Sequence, residues 1–153
     1  MKNKLIAFMA TVLIPVVLTA IVPACATVSS MLPHVIAAVV DGMGVIDAIA
    51  HFVGRYFDRN PNPEAQKTID AALLKCRKAL NAALHVAKGA DKIDQARVDA
   101  AFEEFKQAYL ELIDLVRPYG VSMDSDEKET FSASADGTRL TVPTPESITR
   151  RPR

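Results

Sequence analysis

Apolar residues fall along this chain as one unbroken run followed by three periodic stripes. The run is Leu5 to Val22, uncharged and mostly apolar. Downstream, Ile36, Val39, Met43, Ile46, Ala50, Val53 and Phe57 recur at alternating steps of three and four, which lines them along one side of a helix. Ile69, Leu73, Cys76, Leu80, Ala83 and Ala87 repeat the pattern, and Val98, Phe102, Phe105, Tyr109, Leu112, Val116 and Tyr119 form the third stripe.

Helix signals bracket these stripes. Pro33 suits a first helical turn, and Gly42 and Gly44 each cost about 1 kcal/mol relative to alanine, so a kink or break is expected near 41–44. Asn60-Pro61-Asn62-Pro63-Glu64 reads as a turn, an Asn62 cap, a proline at the first helical position and an acid near the positive end of the dipole. Gly89 stops that helix, Asp91 is positioned to cap the next, and Pro118 and Gly120 end it. The resulting expectation is an all-α fold, an antiparallel three-helix bundle over 33–119, with helices at 33–58, 63–88 and 91–117. Each helix would be about 39 Å long at 1.5 Å per residue. An alanine-rich seam on the second helix faces a bulky one on the third, a pairing that favours close approach. The competing arrangement lays the first helix on a membrane surface, for which Asp47, Arg55 and Asp58 are poorly suited.

Past Gly120 the composition turns to serine, threonine, proline and charge, which reads as a flexible tail over 120–153. Within it, 131–135 and 138–142 flank Asp136-Gly137, a two-residue hairpin signal. Pairing across that turn puts Phe131, Ala133, Leu140 and Val142 on one face, although a lone hairpin is marginal. The ending from Pro143, with Arg150, Arg151 and Arg153, reads as extended, mobile and slightly basic.

The apolar run changes meaning once its flanks are read. Lys2 and Lys4 precede it and no acidic residue occurs before Asp41, which is the layout of a secretory signal. It ends in Val22-Pro23-Ala24-Cys25, and here the chain resembles bacterial lipoprotein precursors, whose lipobox has an aliphatic residue at minus three, a small one at minus one and an obligatory cysteine. Val22, Ala24 and Cys25 match; Pro23 departs from the small or hydroxylated residue usual there. The resemblance covers only the first 25 residues. It implies a signal peptide at 1–24, a diacylglyceryl group on the Cys25 thiol, and a lipidated tether over 25–32. Each buried methylene adds about 0.8 kcal/mol, so two or three acyl chains hold stably where one is marginal. Two other routes stay open: an uncleaved transmembrane helix, short and interrupted by Pro15, and ordinary cleavage after Ala26 at Ala24-Cys25-Ala26. A lipidated Cys25 leaves Cys76 as a single buried thiol; a Cys25–Cys76 disulfide is the rival.

Charge narrows the partners. Eighteen basic side chains balance eighteen acidic ones, and removal of 1–24 leaves sixteen against eighteen. With no basic run and no tryptophan, a nucleic-acid partner is not expected. Chemistry is equally thin. Asp47 and His51 stand four apart on the first helix, but a metal needs a further ligand at suitable spacing, so they are weak metal candidates beside an ion pair with Arg55. The serines cluster in tether and tail, and Cys76 sits on a core stripe, so no nucleophile is indicated. No catalytic residue and no cofactor are assigned. Glu103, Glu104, Glu111 and Asp114 gather on the outer side of the third helix, and Leu110 and Leu115 lie off its stripe; Leu110, Leu115, Glu103, Glu111 and Asp114 are the candidate partner-binding residues.

Two classes of function follow. One is a non-enzymatic module anchored to membrane lipid through Cys25, binding another envelope protein through a helix face or the tail. The other is an enzyme or small-ligand binder with a pocket between helices. Ala26 after the cysteine is not the aspartate that the lipoprotein resemblance associates with inner-membrane retention. In a two-membrane cell the expected location is therefore the periplasmic face of the outer membrane.

Overall fold

A computed structural model describes residues 22–89, 94–123, 132–134 and 137–149. The leader up to residue 21, Asp91, Phe131, Ala135, Asp136 and the three C-terminal arginines lie outside them. The described chain is mostly helical, with α1 (Val22–Arg59), α2 (Pro63–Lys88), α3 (Gln95–Val116), a 3₁₀ turn at Arg117–Tyr119 and a short α4 (Pro145–Thr149). Three short strands complete it: β1 (Val121–Met123), β2 (Ser132–Ala133) and β3 (Leu140–Val142).

The first helix departs most from its sequence reading. Within the described residues it runs from Val22, so the stretch 25–32 expected as a tether is helical, and Pro33 lies inside it instead of at its first turn. A proline there removes one intrahelical bond, to the carbonyl of Ser29, without stopping the helix. Nor does the helix break at 41–44. Gly42 is buried where a Cβ would stand 2.9 Å from Leu80 Cδ1 and 3.4 Å from Ile148 Cγ2. That glycine makes room for two neighbouring elements, and close packing offsets its backbone cost.

Burial on α1 is also rotated from the expected stripe. Val35, Val39, Ile46, Ile49, Phe52, Val53 and Phe57 are buried, whereas Ile36 is 36% exposed. The shift has a tertiary cause: α1 packs against α2 on one flank and against α4 and β3 on another, which widens and turns its covered arc.

The other two long helices start on side-chain caps. Asn62 Oδ1 accepts from the Ala65 N–H at 3.1 Å, with Pro63 in the first turn, and the Gly89 N–H closes the far end on the His85 carbonyl. For α3 the cap is Asp94, whose carboxylate accepts from the Arg97 N–H at 3.3 Å. The α2–α3 interface is the most extensive in the molecule. Buried residues of these two helices include Leu73, Cys76, Leu80 and Ala83 from one and Phe105, Tyr109, Leu112 and Ile113 from the other.

Past Gly120, where a flexible tail with a possible hairpin is expected, the described residues form short strands and a short helix. β3 pairs antiparallel with β2, Ser132 opposite Thr141 and Ala133 opposite Leu140, which is the register of a turn centred on 136–137. It also pairs parallel with β1, Val121 opposite Leu140, giving the order β1-β3-β2. The hairpin is marginal alone and gains its third partner from the segment that leaves α3. Val121, Leu140, Val142 and Ile148 are buried with the helical core, and the Tyr109 hydroxyl donates to the Pro143 carbonyl at 2.9 Å. Leu140 and Val142 share the face expected of the hairpin, whereas Val121 and Ile148 belong to no apolar pattern in the sequence. Folding brings them to one place.

Candidate functional site

The last two turns of α1 carry Phe52, Arg55, Tyr56 and Arg59, Asn60 follows directly, and three later positions are brought against them. Tyr119 arrives from the 3₁₀ turn, and Gly137 and Thr138 arrive from the hairpin, enclosing a cleft of about 430 Å³. Gly120 makes this juncture. Its φ of +99° suits glycine, its carbonyl accepts from the Leu140 N–H at 2.9 Å, and a Cβ there would collide with the Thr138 carbonyl oxygen. A second hollow of about 320 Å³ shares Tyr56, Asn60 and Tyr119 and continues to Phe57, Pro61 and Asn62. The Tyr56 and Tyr119 rings stand 5.1 Å apart and tilted by 59°, so they meet without stacking face to face. The Asn60 side-chain amide donates to the Tyr56 carbonyl at 3.2 Å.

This cleft was not found from sequence. Arg55 and Arg59 at i, i+4 beside Tyr56 were its only local signal, because the remaining wall comes from residues more than fifty positions away.

Comparison with protein-family models, curated proteins and solved structures gives no match.

The sequence-derived site residues are dispersed. Asp47 accepts from Arg77 on α2 at 2.7 Å instead of pairing with Arg55, and among the described residues no group of three metal-ligating side chains forms around it or His51. Glu111 pairs with Lys75 across α2–α3 at 2.5 Å, Glu103 with Lys106 at 2.6 Å, and Asp114 with Arg117 at 3.1 Å. The bond from Glu111 raises the Lys75 pKa, keeping that ammonium charged. Three of the acidic side chains of α3 are thus paired with cations of α2, of α3 and of the turn after it. Leu110 is 42% exposed and Leu115 38%. Five positions apart, they point about 140° from one another around the helix and do not form one patch.

Burial settles the thiol. Cys76 is fully covered, and loss of solvation pushes its pKa up to about 12 against a smaller lowering by Lys75. It is held as a neutral, unreactive group. Cys25 lies in the opening turns of α1. A shallow groove of about 130 Å³ runs between Met31, His34 and Val35 of α1 and Phe102 and Lys106 of α3, with Thr149 beside it.

One more feature of α1 bears on location. The stretch Met31–Arg59 contains a window with mean hydropathy 1.7, apolar enough to cross a membrane or act as a signal, although 44% of that window is buried inside the protein. Its solvent side is divided along the axis. Pro33, Ile36, Ala37, Val40 and Gly44 are exposed and uncharged, with His34 and Asp41 exposed on their flank; Asp47, His51, Arg55 and Asp58 continue the same line. Val40 is 62% exposed.

Proposed function

We propose that this chain is a membrane-anchored bacterial lipoprotein, tethered through acyl groups on Cys25. Its body is an antiparallel up-down-up bundle of α1, α2 and α3 that works as a non-enzymatic interaction module of the cell envelope. The helix order is supported by paired contacts: Gly42 lies at Leu80 and Asp47 at Arg77, so one helix ascends as the other descends. Lys75 at Glu111 joins α2 to α3, and Phe57 lies 5.1 Å from Tyr119 at the far end.

The observation that carries the anchoring is the divided solvent face of α1. A water-soluble helix gains nothing from exposing Ile36 and Val40 in line with Pro33 and Ala37, and burying an exposed valine or isoleucine fully is worth about 1.5–3 kcal/mol. That face belongs to the half of the helix nearest the leader, in a sequence with no charged side chain between Lys4 and Asp41. An uncharged line near the bilayer, flanked only by His34 and Asp41, that turns charged towards the far end is the arrangement expected of an anchored helix.

The mass of the protein purified from membranes tests this, with the Cys25→Ser variant beside it. Lipoprotein processing gives loss of residues 1–24, added acyl mass, and accumulation of precursor in the variant. Retention of the leader in both overturns it and favours an uncleaved span, a reading supported by the unbroken course of α1 from Val22.

A further inference from the structure

We infer that the cleft at the C-terminal end of α1 binds an acidic sugar, with Arg55 and Arg59 taking its carboxylate or phosphate and Tyr56 and Tyr119 packing on its ring. The volume of about 430 Å³ lies in the range of small-ligand pockets. Among the described residues its charge is one-sided: two arginines line it and no carboxylate does, in a chain whose formal charges cancel. Among the described residues neither Arg55 nor Arg59 makes an ion pair, whereas Arg77, Arg97 and Arg117 each do.

Residues four apart on a helix lie side by side, so the two guanidinium groups repel one another until an anion joins them. Their planar forks suit a carboxylate or phosphate bound through two parallel hydrogen bonds. Favourable placement of cations at a helix C-terminus explains one arginine there. It does not explain the aromatic walls or the convergence of three separate segments.

The rings select what the anion is attached to. Tyr56 is 36% exposed and meets Tyr119 at a tilt, which leaves ring surface free for a ligand. Tyrosine offers an apolar face to the C–H side of a sugar and a hydroxyl to its oxygens. The Asn60 amide group is committed to the Tyr56 carbonyl, and its Oδ1 remains an acceptor for a sugar hydroxyl. The site lies at the end of α1 remote from Val22, about 50 Å along the helix axis at 1.5 Å per residue. It is therefore accessible whether or not the anchoring reading holds.

Tyrosine emission provides the test, since the chain has no tryptophan and two of its three tyrosines line the cleft while Tyr109 is sealed in the core. Full-length protein in detergent is titrated with glucuronate, glucose 6-phosphate, glucose and inorganic phosphate. The expected result is a saturable emission change with at least one acidic sugar, at a concentration about tenfold or more below that needed for glucose. A preference between the two acidic sugars identifies the carboxylate or the phosphate as the recognised group. Arg55→Gln with Arg59→Gln should abolish the response while leaving the helical circular dichroism unchanged, because both side chains are exposed. Equal responses to glucose and the acidic sugars, an equal response to inorganic phosphate, or a double variant that responds like its parent would each overturn the proposal.

Discussion

Replacing Tyr109 by phenylalanine removes a buried polar contact that ties the C-terminal segment to the helices. The ring is fully buried and lies 5.6 Å from Phe105, and phenylalanine keeps both features. What disappears is the hydroxyl that donates to the Pro143 carbonyl at 2.9 Å, in surroundings where Pro143 is itself buried. An unsatisfied buried acceptor costs about 1–3 kcal/mol, which for a domain of this size lowers Tm by about 3–10 °C. Urea unfolding of the full-length protein in detergent, followed by far-ultraviolet circular dichroism, measures the loss. Amide exchange at Leu140, Val142 and Ile148 should accelerate more than exchange within α2 and α3. Alkaline pH gives a second readout with a definite sign. Burial raises the Tyr109 pKa, and an unfolded tyrosine ionises near pH 10. The stability contributed by the neutral phenol is fully present below about pH 10 and is lost as pH rises further, at about 1.4 kcal/mol per unit. The phenylalanine variant lacks that slope. A change below about 0.5 kcal/mol at neutral pH, with unchanged exchange at 140–148, would refute the reasoning.

Three further outcomes are expected. Gly120→Ala should destabilise by about 2–4 kcal/mol, from a positive φ and a Cβ driven into the Thr138 carbonyl, and should release the 137–142 segment to limited proteolysis before the helices unfold. Between pH 9 and 10 the buried Cys76 thiol, with its pKa near 12 in the fold, should make stability fall as pH rises; Cys76→Ala should flatten that limb in denaturant titrations. In the full-length protein reconstituted in vesicles, a tryptophan placed by Val40→Trp should be quenched by brominated acyl chains and shielded from iodide, and Leu74→Trp on α2 should show the reverse. Equal accessibility of the two would count against a bilayer-facing side on α1.

Local chemistry that acts over one or two turns was readable without coordinates. Asn62, Pro63 and Glu64 announce the start of α2, since capping needs only side chains already within reach of the free N–H groups. The stripe from Ile69 to Ala87 is the covered side of that helix because α2 meets α1 and α3 on adjoining flanks. The glycines at 42 and 44 misled for a definite reason. Propensity measures the cost of glycine in isolation, and Gly42 sits where a larger residue would displace Leu80. Ile36 misled because periodicity gives a helix an apolar side without saying how far neighbouring elements rotate its cover. Of the site, sequence offered Asp47 and His51, adjacent on one helix, and passed over Arg55 and Arg59, whose significance depends on what stands opposite them.

The sequence by itself determined the helical character of the body, its turns and caps, the uncharged leader into Cys25, and the absence of a regular apolar pattern after Gly120. Each of these is encoded by neighbours within a few residues, where side-chain type and spacing act directly on the backbone. Tertiary structure alone decided that Val121, Leu140, Val142 and Ile148 form a wall, that Asp47 pairs with Arg77, and that Tyr119 and Thr138 close a cleft over the end of α1. Those juxtapositions join separate segments of the chain, and they form because apolar residues too sparse to organise their own segment find cover on the helices.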